Sequence, residues 1–160
     1  MEQFTHFDVQ GNAVMVDVSK KEKTQRIAVA RGEISMSAAC YGAVKSGDMQ
    51  KGDVLGVARI SGILAVKQTP SLIPLCHSLP VEQAHIEFTC IDERSTIVAS
   101  CTVKTQGKTG VEMEAMVGVT TTLLTIYDMC KAMDKGMEIG AIYLQEKHGG
   151  KSGSYVREKL

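Results

Sequence analysis

An α+β sandwich, with helices covering one side of an antiparallel sheet, is predicted by three features of the 160-residue sequence. Two segments of alternating apolar and polar residues are separated by a three-residue reversal, the pattern of a β-hairpin. Helix-period segments stand before and after that pair, and a further β-type segment lies on each outer flank. The order β, α, ββ, α, β is that of a ferredoxin-like α/β sandwich.

The elements follow in chain order. Residues Ala13 to Val18 (AVMVDV) and Arg26 to Ile34 are short β-branched runs ending at polar or Gly positions, and both are predicted as strands. Ser35 to Lys45 offers Ser caps ahead of an Ala-rich stretch, a first helix that stops at the Gly47-Asp48 turn signal. Asp53 to Lys67 carries Val54, Leu55, Val57, Ala58, Ile60, Ile63, Leu64 and Val66 at helical spacing, with Asp53 as the cap. All three prolines fall between Pro70 and Pro80, so that window is expected to be neither a regular helix nor a central strand.

Val81 to Ile91 places Ala84, Ile86, Phe88 and Cys90 on one face, Thr96 to Thr105 repeats the alternation, and Asp92 to Arg94 turns between them. Glu112 to Met133 is the longest helix, closed by Gly136, and Glu138 to Lys147 reads as a strand apolar on both faces, suited to a central position.

Composition narrows the function. The length fits a single domain over 1–160, with 1–10 and 149–160 expected to be mobile. Eighteen basic residues balance eighteen acidic ones, so no overall field favours nucleic acid or an anionic membrane, and a bound anion must be held by a local cluster. The start MEQFTHFDVQ lacks the basic-then-apolar order of a signal peptide, and no apolar run reaches the roughly 18 residues of a membrane span, so a cytoplasmic chain is expected. Five scattered cysteines without a CxxC pair read as reduced thiols, mostly core filler. With no Trp, three Phe and four Tyr, a base-stacking platform is disfavoured.

Three regions could carry chemistry. The stiff proline segment holds Leu75, Cys76 and His77, and rigid backbone around an imidazole suits acid/base work, although a structural corner with a satisfied histidine fits the same pattern. The GKT of TQGKTGVEMEA is not a P-loop, because Thr102 stands where the first Gly is required; Gly150-Lys151-Ser152 fails likewise at Gln145. What remains there is a Gly-bracketed lysine ahead of Glu112, Met113 and Glu114, with both acids in the first helical turn, where the helix dipole favours carboxylates.

On the long helix, Glu114, Gly118, Thr121, Thr125 and Asp128 share a stripe with Lys131 at its edge, while Met116, Val119, Leu123, Ile126 and Cys130 face the sheet. A stripe of small residues with acids near its ends is expected to pack against another surface, though a surface ion pair between Asp128 and Lys131 is the plain alternative. Glu114 and Asp128 are fourteen residues apart, roughly 21 Å along the axis, so they can share a site only across subunits. Arg26, Lys51, Lys67, Lys147 and Lys151, with the glycines at 149, 150 and 153, could converge on a polyphosphate.

MVDVS (Met15 to Ser19), KGDVLGVARISGI (Lys51 to Ile63), TPSLIPLCHSLP (Thr69 to Pro80), KTGVEMEA (Lys108 to Ala115), YDMCKAMDKGM (Tyr127 to Met137) and EKHGGKSG (Glu146 to Gly153) together resemble the cyclic pyranopterin monophosphate synthase family, protein C of molybdenum cofactor biosynthesis. The resemblance runs in order along nearly the whole chain; Ser78 stands where the family has proline after LCH. It implies a ferredoxin-like subunit, a homohexamer built as a trimer of dimers, and a site at the dimer interface. It also implies a lyase that turns a 3′,8-cyclised dihydroguanosine triphosphate into cyclic pyranopterin monophosphate, releasing diphosphate.

Carried over by position, Asp128 and Lys131 match the catalytic pair, Lys51 and Glu112 match further active-site positions, and Leu75, Cys76, His77, Met113 and Glu114 match substrate contacts. Arg26, Lys67 and Lys147 match basic residues suited to the triphosphate. Catalysis is expected from Asp128, Lys131, Lys51 and His77, with burial and mutual charge tuning the Asp128–Lys131 pair. No dedicated metal-ligand cluster is present, so no cofactor is expected beyond a Mg²⁺ that could accompany the triphosphate. The reading from another class is a non-catalytic nucleotide-binding module, which would have no use for Asp128 and Lys131 together with His77.

Overall fold

The computed structural model describes residues 6–158. Strand β1 (Thr24–Ser35) leads into α1 (Ala38–Ser46) and α2 (Val54–Leu72); the hairpin β2 (Val81–Ile91) and β3 (Thr96–Gly107) follows, then α3 (Glu112–Cys130), β4 (Glu138–His148) and a two-residue β5 (Tyr155–Val156). The sheet order is β2-β3-β1-β4-β5 and every pair is antiparallel. Read without β5, that order is 4-1-3-2, an antiparallel sheet consistent with the ferredoxin-like sandwich that the sequence predicts.

The period-2 pattern puts one row of small and apolar residues on the helix side: Ile86, Cys101, Ala30 and Leu144 are successive cross-strand partners. Ala115, Val119, Leu123 and Ile126 of α3 and Ala58 and Val66 of α2 close over that layer, each fully buried. Hydrophobic burial of this kind is the main favourable term in the fold. The helix starts follow the sequence signals, since Ser37 accepts from the Cys40 N–H and Asp53 from the Gly56 N–H.

Four expectations are corrected. Ala13 to Val18 is not a strand of the sheet; apart from an isolated Phe7–Ala13 bridge it has no ladder partner, and it runs instead beside the proline corner. The helix α2 continues through Pro70 to Leu72. A proline this near the C-terminus removes only one backbone bond, from Val66, and Ile73 N–H still reaches Thr69 O at 2.9 Å. Helix α3 ends at Cys130 rather than Met133. Strand β4 is not central: β1 and β3 are, and only Glu146 and Lys147 of β4 pair with β5. Its two apolar faces therefore reflect one face on the helices and one left open.

Mobile ends were expected at 1–10 and 149–160. Residues 1–5 and 159–160 lie outside the described residues, and within the second segment Tyr155–Val156 adds to the edge of β4.

Candidate active site

Strand order decides which loops meet. Because β1 lies between β3 and β4, the segment after β3 and the segment after β4 leave the sheet on either side of the start of β1. They wall an open cleft of about 790 Å³, lined by Lys20, Lys21, Arg26, Lys108, Thr109, Gly110, Glu112, Lys147, Gly149, Gly150 and Lys151, among others. Arg26 donates from Nε to Gly107 O at 3.3 Å and from Nη2 to Lys108 O at 3.4 Å. Lys147 pairs with Glu112 at 3.0 Å, both side chains about 30% exposed. The cleft thus concentrates ammonium and guanidinium groups although the chain is neutral overall, which is what binding a polyanion demands.

A second pocket of about 300 Å³ adjoins it and shares Lys21, Thr109, Gly110 and Glu112; its own walls include Val16, Val18, Leu75, Cys76, His77, Met113 and Glu114. Here the end of α2 and the proline segment deliver His77 opposite the first turn of α3. His77 Nε2 donates to Val16 O at 2.7 Å. A carbonyl can only accept, so Nε2 carries the hydrogen and Nδ1 is left as the basic nitrogen.

Glu114 is 3% exposed. Burial pushes its carboxyl up from the usual carboxylate range, against its own backbone N–H, which lowers it, and the nearby Glu112 charge adds to the rise. Burial, with the charge of Glu114, also raises the Cys76 thiol. Ser78 is exposed.

The far end of α3 holds a second cluster. Lys131 caps the helix and its Nζ meets Asp128 Oδ1 at 2.7 Å, while Lys51 Nζ donates to the Asp128 carbonyl at 3.1 Å. The last carbonyls of a helix lack intrahelical partners and attract cations, which accounts for Lys51, whereas Lys131 is held by the Asp128 carboxylate. The hydrogen bond and charge of Lys131 hold Asp128 below the usual carboxylate range, and Asp128 in turn raises Lys131.

Both side chains are more than half exposed, so in one chain burial does not tune this pair; mutual charge does. The expectation that the pair is shielded is not met within one subunit. Lys67 is exposed on α2 and lines neither cavity, so it does not converge with Arg26 and Lys147.

The α3 stripe needs a further correction. Gly118 packs on α2 of the same chain, where a β-carbon would stand 2.7 Å from Val66 Cγ2, and Thr125 bonds Ser61 at 2.9 Å. The surface that this stripe was expected to find is therefore intramolecular. Lys20 and Lys21 escaped sequence reading because nothing distinguishes them within the solvated-looking run SKKEK; only the path of residues 16–21 past the cleft selects them. Among the described residues no group of three or more His, Cys, Asp or Glu side chains is placed to hold a metal ion.

The MoaC family model matches residues 15–150. Cyclic pyranopterin monophosphate synthase of Heliobacterium modesticaldum is 54% identical over 159 residues, 99% of this chain and 100% of that protein. Those of Clostridium botulinum and Pelobacter propionicus are 52% and 53% identical over 156 residues, covering 98% of each chain in both comparisons.

Proposed function

This chain belongs to the MoaC family, and from that premise we propose how it converts 3′,8-cyclo-7,8-dihydroguanosine 5′-triphosphate to cyclic pyranopterin monophosphate and diphosphate, a lyase step of molybdenum cofactor biosynthesis. The observation that carries the reading is the shared wall of the two cavities. A basic cleft suits the triphosphate, and the adjoining pocket with His77 and Glu114 suits the purine-derived end, with Glu112 at the junction.

The rearrangement opens and recloses rings without net redox change, so it needs groups that take up and return protons. His77 offers Nδ1 as a base, and Glu114, with its proton affinity raised by burial, offers a carboxyl that can give up a proton nearer neutrality. Asp128 and Lys131 act as a coupled acid and base. In the phosphate step a ribose-derived hydroxyl attacks the α-phosphorus, its proton passes to a base, and the bond from the α-phosphorus to the bridging oxygen breaks as diphosphate leaves. Lys147 and its cationic neighbours stabilise the charge that grows on that leaving group. No resident cofactor enters this scheme; a Mg²⁺ would arrive with the triphosphate as part of the substrate.

Asp128, Lys131, Lys51 and Lys67 complete the site from a second subunit in this reading, within a homohexamer arranged as a trimer of dimers. What supports it is the exposed apolar surface on the helices: Val57, Ile60 and Leu64 recur on one face of α2, 45%, 63% and 51% exposed, and Leu124 of α3 is 54% exposed. Apolar side chains clustered in water mark an association surface. No helix among the described residues is long and apolar enough to cross a membrane, so this face is not a membrane span.

Incubating the protein with the cyclised triphosphate and quantifying both products tests the function. Stoichiometric diphosphate and cyclic monophosphate are expected; binding without diphosphate release would indicate a nucleotide-binding module and end the proposal.

A further inference from the structure

We infer that Gly150 is a positioning residue for the polyphosphate cleft, acting through Arg26: the side chain that Gly150 lacks is the seat of the guanidinium. A β-carbon built on Gly150 would fall on Arg26 Nη1 and lie 2.6 Å from Cζ. Gly150 also has φ +78, a conformation that L side chains rarely adopt, so both the space and the backbone call for glycine. From this seat Arg26 Nε and Nη2 reach Gly107 O and Lys108 O on the opposite wall.

The topology gives the seat its meaning. Arg26 stands near the start of the central strand β1, with the exit of β3 on one side and the exit of β4 on the other. A planar guanidinium with several donors in fixed directions can lie in a slot on one wall and bond two carbonyls on the other. The guanidinium is bonded to the segment bearing Lys108 and packed against the turn after β4, between Lys147 at the end of that strand and Lys151, and so sets the spacing of the ammonium groups across the cleft. A methyl group at position 150 evicts it, and the lysines then meet a polyphosphate without a preset spacing, which costs affinity.

The inference rests on the reading of this cleft as the triphosphate site, and the test separates the two. Binding of inorganic pyrophosphate to the full-length protein is measured by calorimetry for Gly150→Ala, Arg26→Ala, the double variant, Lys147→Ala, and Gly42→Ala as a control in α1. Gly150→Ala is expected to weaken pyrophosphate by about tenfold or more, the scale of losing charge-assisted hydrogen bonds. KM should rise alongside, with kcat within about twofold, as for lost binding that ground and transition states share.

In the Arg26→Ala background the same Gly150→Ala change should add less than about twofold, because the seat is then empty. Gly150→Asn, which tolerates positive φ better, should reproduce the loss and separates eviction from backbone strain. An equal penalty with and without Arg26, or unchanged affinity in both Gly150 variants, overturns the inference. If Lys147→Ala weakens binding and the Gly150 variants do not, the cleft reading stands and the inference alone falls. If pyrophosphate binding ignores Lys147→Ala, both fall.

Discussion

Two carboxylates on α3 sit in opposite environments, and their variants should behave in opposite ways. Asp128 is exposed and paired with Lys131, so neither residue holds the fold together to any large extent. Lys131→Ala is expected to leave Tm nearly unchanged while lowering turnover by about 100-fold or more, the scale of a lost acid/base group. Calorimetry and a product assay on the same preparation check both halves; near-normal turnover removes the role given to this lysine.

Glu114 is buried and its proton affinity is raised from 4.5. Between that value and the higher one in the fold, the folded chain binds more protons than the unfolded chain, so stability falls as pH rises through the window. Above it the buried charge remains a cost. Glu114→Gln should therefore raise Tm near neutral pH, the gain should vanish at pH values below 4.5, and activity should drop; Tm measured across pH for both proteins tests this. The acidic residues themselves were legible in the sequence as helix-start carboxylates, but which of them is buried was not, since Glu112 and Glu114 differ only in the direction that the first turn of α3 faces.

At the level of elements, α2 and α3 approach closely where small residues meet. Gly62 and Gly118 face each other there: a β-carbon on Gly118 would stand 2.7 Å from both Cys101 Sγ and Val66 Cγ2, and one on Gly62 would run into Thr122 Oγ1. Because the neighbours of Gly118 belong to two different elements, α2 and β3, they cannot yield together. Gly118→Val is expected to destabilise by about 2–3 kcal/mol, as overpacking does, with the loss visible as a lower urea midpoint. A neutral result would mean that the two helices can move apart at this crossing without loss.

The small residues of the stripe were readable as a packing surface, but their partner was not. Periodicity tells which residues share a face, and not whether that face meets a helix of the same chain or of another. Pro70 shows the same limit, because its cost depends on how many turns follow it, and here the helix ends two residues later.

Over the whole molecule, the candidate groups fall at the two ends of α3, roughly 21 Å apart by the helical rise. If the exposed faces of α2 and α3 join subunits into the proposed hexamer, one chain supplies the cleft and another supplies Asp128 and Lys131. Mixing inactive Glu114→Ala chains with inactive Asp128→Ala chains should then restore a fraction of activity, because some mixed interfaces carry an intact set. The assay needs exchange of subunits verified by mass; clean failure after exchange would count against a site shared between subunits.

Legible in the residues alone were the strands of the hairpin, to the residue at three of four ends, the helix cap at Asp53, a serine cap ahead of α1 and the chemical inventory of the site, because period, cap chemistry and side-chain type are local properties written in neighbouring residues. It took the folded chain to show that Arg26, Lys21 and Lys147 share a cleft while Lys67 does not, that Val16 and Val18 line a pocket wall instead of belonging to the sheet, and that β4 lies toward the edge. Those facts depend on which strands pair and in what order, and pairing joins residues dozens of positions apart, a choice made by burial over the whole chain.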